Sequence, residues 1–191
     1  MSVDVNLEPM QMETRGLTER RMARVEEHLA AENAQDLDAI MATFDRDPTY
    51  EVEAEAVVHE GYDGVRDFYV EATTAAPDLH IVVRNRHVTD QAILLEVLIT
   101  GTHLGPFRGL PATGRRLEYP LCAVYTFREG SDRIKGERIY FDRVTLLQQL
   151  GVMSDPNSAP GKLTMLLTHP GTFARAAIRS VSTRMRLKPN P

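Results

Sequence analysis

Hydrophobic and polar positions divide the chain into a first part with helical spacing and a central part with strand alternation. In the first part, apolar residues recur every three or four positions, which is typical of helices that bury one face. This spacing predicts helices from Leu17, from Asp36 and over Val65–Thr74. A short alternation of apolar and polar residues over Thr49–Val58 predicts one or two short strands before the third helix.

The central part predicts four long antiparallel strands, because its apolar runs are rich in the β-branched and aromatic residues that strands favour. Glycines and prolines in GPFRGLPATGR, residues 105–115, exclude a regular helix and predict a wide, ordered turn. Helices that come first and strands that follow one another indicate an α+β fold rather than a parallel α/β sheet. The predicted strands are His80–Thr89, Leu94–Thr102, Tyr119–Phe127 and Arg133–Asp142.

The last predicted strand carries polar residues on one of its two faces. Successive side chains of a strand point to opposite sides, so Glu137 shares a row with apolar residues and the other row is polar. A polar row on an otherwise apolar sheet is the first indication of a functional site. This row consists of Arg138, Tyr140 and Asp142.

A histidine and a glutamate lie on the apolar face of the first predicted helix. His28 and Glu32 are four residues apart, so one helical turn separates them. Unpaired charge is costly to bury, which makes their position unusual. Two interpretations stay open: the two side chains satisfy each other at the edge of the core, or both face a polar-lined cavity.

Composition limits the classes of function. The net charge of −5 argues against nucleic-acid binding, and the single cysteine, Cys122, excludes an internal disulfide. The first residues lack the basic region and apolar core of a signal peptide, and no apolar run is long enough to span a bilayer. We therefore expect a cytoplasmic protein.

The pattern predicts a flexible N-terminal arm (residues 1–16), a central domain (residues 17–151) and a C-terminal extension (residues 152–191). The extension is partly helical by its pattern, over Leu163–Thr168 and Thr172–Arg186, and it has one acidic residue against six basic ones. A basic amphipathic segment can lie on an anionic membrane. Because the rest of the chain is acidic, we expect it to pack on protein instead.

Two sequence runs carry a family resemblance. GTHLGPFRGLPATGR (Gly101–Arg115) and ERIYFDRVTLLQQLG (Glu137–Gly151), together with the order of elements, resemble the SnoaL-like polyketide cyclases of the nuclear transport factor 2-like superfamily. The resemblance covers residues 17–151 and leaves out the basic extension. It implies a conical α+β barrel, in which a curved antiparallel sheet wraps around helices and encloses an apolar pocket, and it implies a homodimer.

The resemblance also implies a chemistry. These cyclases close a ring by an intramolecular aldol step on a small hydrophobic carbonyl compound, without metal or cofactor, and an aspartate on the last strand works beside a histidine. The matching residues are Asp142 and His103, and burial of Asp142 among apolar residues would raise the pKa of its carboxyl. The predicted catalytic residues are Asp142, His103 and Tyr140, and the predicted substrate contacts are His28, Glu32, Tyr69, Arg138 and Phe107.

Three alternatives remain open from the sequence. The protein could bind a small hydrophobic ligand without catalysis, with Asp142 serving only as a helix N-cap and His103 bracing the turn. The resemblance to the superfamily also implies, as an alternative, an epoxide hydrolase of the limonene epoxide hydrolase type, which would use Glu96, Arg138 and Asp142. Acceptable metal ligands are present in His28, Glu32, His103 and Asp142, but their spacing is not diagnostic, so we predict no metal.

Overall fold

A computed structural model describes residues 7–155, 157–172, 174–175 and 179. The chain forms two compact units, which divide after Leu150. The helices of the first unit are α1 (Leu7–Ala34), α2 (Leu37–Thr43), α3 (Gly61–Ala75) and α4 (Arg143–Gln149). Its strands are β1 (Phe44–Val52), β2 (Val57–Glu60), β3 (His80–Val88), β4 (Ala92–Thr102), β5 (Arg116–Phe127) and β6 (Ile134–Phe141).

The six strands form one curved, unclosed sheet in the order β2-β1-β6-β5-β4-β3. Strands β3 to β6 pair in sequence order and antiparallel, so the predicted α+β class is confirmed. The sequence did not predict the parallel pairing of β1 with β6, in which Phe44 lies opposite Ile134. The helical spacing of apolar residues predicted that Phe44 lies in the second helix. The strand that pairs with β1 lies about ninety residues further along the chain, so the local pattern could not reveal the pairing.

Helix α1 begins at Leu7, so the predicted arm is helical over its second half, and residues 1–6 lie outside the described residues. Pro9 does not prevent this earlier start, because a proline in the first turn lacks only an N–H that would have no helical partner. The expectation that this helix starts at Leu17 was wrong, because the helix extends back to Leu7.

Helix α1 is fixed to the sheet by a buried arginine. Arg21 is 6% exposed, and its guanidinium donates to three backbone carbonyls: Ser131 O at 2.9 Å, Asp90 O at 2.7 Å and Arg128 O at 2.8 Å. These carbonyls belong to the β3–β4 and β5–β6 turns. Because two helical turns separate Arg21 from His28, the same anchored face carries the histidine into the interior.

The alternation predicted for the last strand is correct, but the polar row faces outward. Glu137 and Ile139 on β6 are buried on the inner face of the sheet, where α1, α2 and α3 pack. Tyr140 is 44% exposed, and Arg138 pairs with Glu51 of β1 on the outer face. The buried carboxylate of this strand is therefore in the row that the sequence marked as apolar.

The second unit contains α5 (Ala159–Thr168). The Ser158 hydroxyl accepts from the Gly161 amide and caps this helix, which begins four residues before the predicted Leu163. Most of the predicted segment Thr172–Arg186 lies outside the described residues. Among the helices that the structure describes, none combines the length and apolar character needed to cross a membrane.

Candidate active site

A cavity of about 150 Å³ lies between the inner face of the sheet and helices α1 to α3. Its wall is mostly apolar and includes the stacked rings of Tyr50 and Phe68, whose centroids are 4.0 Å apart. A few polar side chains interrupt this wall. They are Glu32, Gln35, Tyr50, Glu55, Tyr69, Thr73, His103, Arg108 and Tyr119.

A buried hydrogen-bond cluster lies beside the cavity and is centred on His28, which has no exposed surface. Its Nδ1 is 2.8 Å from the Thr43 hydroxyl, and its Nε2 is 3.0 Å from the Tyr69 hydroxyl. Two carboxylates face the same Nε2, Glu137 at 3.3 Å and Glu32 at 3.5 Å. The cluster joins α1, α2, α3 and β6, so residues far apart in sequence meet at one ring.

The hydrogen-bond directions place a proton on each nitrogen of His28. Thr43 donates its hydroxyl proton to Ile40 O at 2.6 Å, so its oxygen accepts from Nδ1–H. Tyr69 donates its proton to Glu137 Oε2 at 3.0 Å, so its oxygen is free to accept from Nε2–H. His28 is therefore an imidazolium in this arrangement.

The electrostatics agree with this assignment. Burial by itself would lower the pKa of His28, but attraction to Glu32 and hydrogen bonds to both carboxylates outweigh it and raise the pKa to about 10. Burial raises the pKa of Glu137, the charge of Glu32 adds to this effect, and His28 and Tyr69 oppose it. Burial and the nearby charge of Glu137 raise the pKa of Tyr69 well above its ordinary value.

Glu32 is the carboxylate of this cluster that also lines the cavity. Its Oε1 faces His28, whereas its Oε2 is buried and has no hydrogen-bond partner among the described residues. A buried polar atom without a partner is uncommon and needs an explanation. A carboxylate oxygen beside an apolar cavity is placed to accept a proton from a bound molecule.

His103 supplies the complementary group. It is 2% exposed and lines the same cavity, and its Nδ1 accepts from the Thr113 backbone N–H at 3.2 Å. Because Nδ1 accepts, the proton of the neutral ring is on Nε2. This Nε2 is buried and has no hydrogen-bond partner within the described structure. Two side chains that line the cavity thus carry buried polar atoms without a partner in the described part of the chain: an acceptor on Glu32 and a donor on His103.

His28, Glu32 and Glu137 each offer a ligand atom within 4.8 Å of the others, which is close enough to hold a cation. The donor set of one imidazole and two carboxylates suits several divalent metals. The hydrogen-bond directions described above place the protons of the His28 ring in the same space, so one positive charge faces the two carboxylates there.

Asp142 is outside the cavity, so the expectation of a buried carboxylate at this position was wrong. It is exposed and caps α4, where its side chain accepts from the Val144 and Thr145 amides and from the Thr145 hydroxyl. These hydrogen bonds, led by that of the Thr145 hydroxyl, lower the pKa of Asp142 rather than raise it. The physical argument for Asp142 as an acid or base is therefore lost.

Replacement of Asp142 by Ala should lower stability slightly and leave the cavity unchanged. The loss of the N-cap should shift the urea unfolding midpoint downward by the modest amount typical of a helix cap. The affinity for a neutral fluorescent probe such as aminoanthracene should equal that of the wild type. A large loss of affinity would show that Asp142 contributes to the cavity after all.

Three other residues that the sequence analysis named also lie away from the cavity. Tyr140 and Arg138 are on the outer face, where Arg138 Nε donates to Glu51 at 2.7 Å and lies 3.2 Å from Glu53. Glu96 is exposed and bonded to Asn85 and His87. The set proposed for epoxide hydrolysis, Glu96, Arg138 and Asp142, therefore does not line the cavity.

The structure brings His28, Glu32 and Tyr69 into one cluster, and His103 and Phe107 into the wall of the same cavity. The sequence reasoning missed Glu137. Its signal was a single glutamate in the apolar row of the last strand, where an unpaired charge would be costly. The sequence analysis assigned the functional site to the polar row of the same strand instead. Polar side chains on one face of a sheet more often mark the side that faces solvent.

Comparison with known families identifies this fold. The family description "SnoaL-like polyketide cyclase" matches residues 20–150, more than half of the chain. The chain belongs to the SnoaL-like polyketide cyclase family. No curated protein matches this family member significantly in sequence.

Solved structures agree with the family assignment. AclR, a candidate hydroxylase from Streptomyces galilaeus, is 22% identical with a TM-score of 0.64, and the match covers 88% of this chain and 98% of AclR. A candidate SnoaL-like polyketide cyclase from Jannaschia sp. CCS1 is 20% identical with a TM-score of 0.64, over 71% of this chain and 94% of that one. TsrD from Streptomyces laurentii is 23% identical with a TM-score of 0.60, over 70% and 96%. At these identities the likeness establishes the fold alone.

Proposed function

We propose that this protein is a cyclase or isomerase that acts on a small hydrophobic carbonyl compound by proton transfer, without a cofactor. The observation that carries the proposal is a pair of buried atoms without a hydrogen-bond partner among the described residues, Glu32 Oε2 and His103 Nε2, on two side chains that line one apolar cavity. A ligand with a carbonyl oxygen and an adjacent C–H would satisfy both. The family membership of residues 20–150 supports the same class of reaction.

The reaction follows from these two groups. Glu32 takes the proton from the carbon beside the carbonyl, and the electron pair of that C–H bond forms the enolate. The negative charge moves to the oxygen, which accepts the Nε2–H of His103. The enolate carbon can attack a second carbonyl of the same molecule, which closes a ring, and Glu32 then returns its proton to the new alkoxide. Where the enolate is conjugated with a C=C bond, Glu32 instead returns the proton to the far carbon of the conjugated system, which isomerises the substrate.

The buried cluster prepares Glu32 for this role. The positive charge of His28 lies 3.5 Å from Glu32 Oε1 and balances the carboxylate in a site that water reaches poorly. Thr43 and Tyr69 fix the plane of the ring through its two nitrogens. A base held in one orientation costs little reorganisation when the substrate binds.

The proposal is tested by exchange of α-protons for deuterium, because enolisation precedes both outcomes. Small hydrophobic ketones and β-diketones are incubated with the protein in D₂O, and NMR measures the loss of the α-proton signal. We expect catalysed exchange that EDTA does not change. Ligands that bind without exchange would make this a binding protein, and exchange abolished by EDTA would show that a metal is required.

His103→Asn should lower the exchange rate about 100-fold, which is the cost of one oxyanion donor. The melting temperature should change little, because the shorter amide can keep an oxygen near the position of Nδ1 to accept the Thr113 N–H, while it has no donor at the position of Nε2. His87→Asn is the matched control, since His87 is exposed and lies on an edge strand. An unchanged rate in His103→Asn would exclude His103 as the donor.

A further inference from the structure

The loop of residues 103–115 forms part of the cavity wall and has a fixed base. His103 N donates to Arg115 O at 2.9 Å, and Gly114 N donates to His103 O at 2.9 Å. The base is also tied to the end of α3, where Gly105 N donates to Ala75 O at 3.1 Å. Gly105 packs so tightly that an added Cβ would lie 2.1 Å from Thr74 O.

The tip of this loop, residues 106–112, is held differently. Among the described residues, its hydrogen bonds and ion pairs to other elements are all made by Arg108. The guanidinium lies 3.2 Å from Glu55 Oε2 and 3.1 Å from Glu71 Oε2, and it donates to His59 Nε2 at 3.1 Å. The backbone N–H of Arg108 donates to Glu71 Oε1 at 3.0 Å.

The backbone of Arg108 is strained in this position. Its φ is +49°, in the left-handed region that residues other than glycine seldom occupy. Such a conformation persists only where the surrounding contacts compensate for it, and it often marks a switch or clamp. Phe107 and Arg108 line the cavity, as does Glu55, so the contacts of Arg108 lie at the cavity wall.

We propose that Arg108 is a latch that holds the 106–112 tip over the cavity, and that its release admits and discharges ligand. The fixed base acts as the hinge region, and the tip moves as a unit because Phe107 and Leu110 bond to each other. The latch concerns entry to the cavity and applies whichever reaction occurs inside it.

Reactivity of a thiol placed inside the cavity tests the latch without a known ligand. Ala72→Cys puts a thiol on the cavity wall, and Cys122→Ser removes the natural one. In this background, Arg108→Gln should raise the rate of modification by methyl methanethiosulfonate about tenfold. Arg84→Gln, at an exposed position on the edge strand, is the matched control and should leave the rate unchanged.

Two further measurements distinguish a latch from a purely structural role of Arg108. The melting temperatures of the variants should be equal, and amide hydrogen exchange should accelerate only within residues 106–112. Glu71→Gln weakens two of the four contacts that hold Arg108, so its thiol should be modified at an intermediate rate. This variant replaces Arg108→Gln in the test if Arg108→Gln does not fold. Equal modification rates in the parent Ala72→Cys, Cys122→Ser protein and in its Glu71→Gln or Arg108→Gln variant would overturn the proposal, as would faster exchange at the tip without faster modification.

Discussion

Glu32→Gln should abolish most proton transfer in the cavity, with a loss of about a thousandfold in turnover, within the range typical of general-base catalysis. Glutamine keeps the shape of the side chain and an oxygen that can face His28, but it has no basic carboxylate. The measurement uses nitrobenzisoxazole, a small neutral compound that loses a ring proton to a base and opens its N–O bond to give a coloured phenolate. This probe reports the base even before the natural substrate is known.

The matched control is Glu26→Gln. Glu26 lies on the same helix, is exposed and pairs at 3.7 Å with Arg86, so its replacement should leave turnover unchanged. Glu137→Gln separates the two carboxylates of the cluster. If Glu32→Gln retained full turnover while Glu137→Gln lost it, the base would be Glu137, and the role proposed for Glu32 would be wrong.

The second large effect concerns stability and pH. The pKa of His28 is about 10 in the folded protein and 6.5 in the unfolded chain, so the folded state binds this proton more tightly. Its contribution is fully present below pH 6.5 and is lost as pH rises towards 10. The raised pKa of Glu137 acts in the same direction. The free energy of unfolding should therefore fall by up to about 1.4 kcal/mol per pH unit in this window.

Urea unfolding between pH 5 and pH 10 measures this dependence. His28→Gln replaces the imidazolium by a neutral amide, so the decline above neutral pH should disappear. The two carboxylates would then lack their positive partner, and the decline should move to lower pH. At pH 7 this variant should be less stable by about 3 kcal/mol, the typical cost of breaking a buried ion pair. A wild-type curve that is flat from pH 7 to pH 9 would contradict the assigned imidazolium.

Local pattern predicted much of the architecture. Helical spacing located α2 and α3, and strand alternation located β3 to β6. Asp36, where the sequence predicts that the second helix begins, caps α2 by accepting from Ala39 N. The same reasoning failed where a distant partner decides the outcome. Phe44 has helical spacing with Leu37 and Ile40, yet it begins β1 because β6 offers it a parallel partner.

The candidate site shows the same division. The sequence identified His28 and Glu32 as polar residues on an apolar stripe, and both belong to the buried cluster. It also favoured Asp142, because an aspartate after a strand matched the family pattern. An aspartate directly before a helix is also a good N-cap, and the exposed end of β6 leaves Asp142 in that role.

The sequence by itself determined the α+β class, the order of the elements and the rows of residues that share a face, because these follow from the periods of helix and strand. Only the tertiary structure decided which face of β6 is inside. That choice depends on how α1 and α3 pack on the curved sheet, which no local period encodes. It placed Glu137 beside His28 and left Arg138, Tyr140 and Asp142 in contact with solvent.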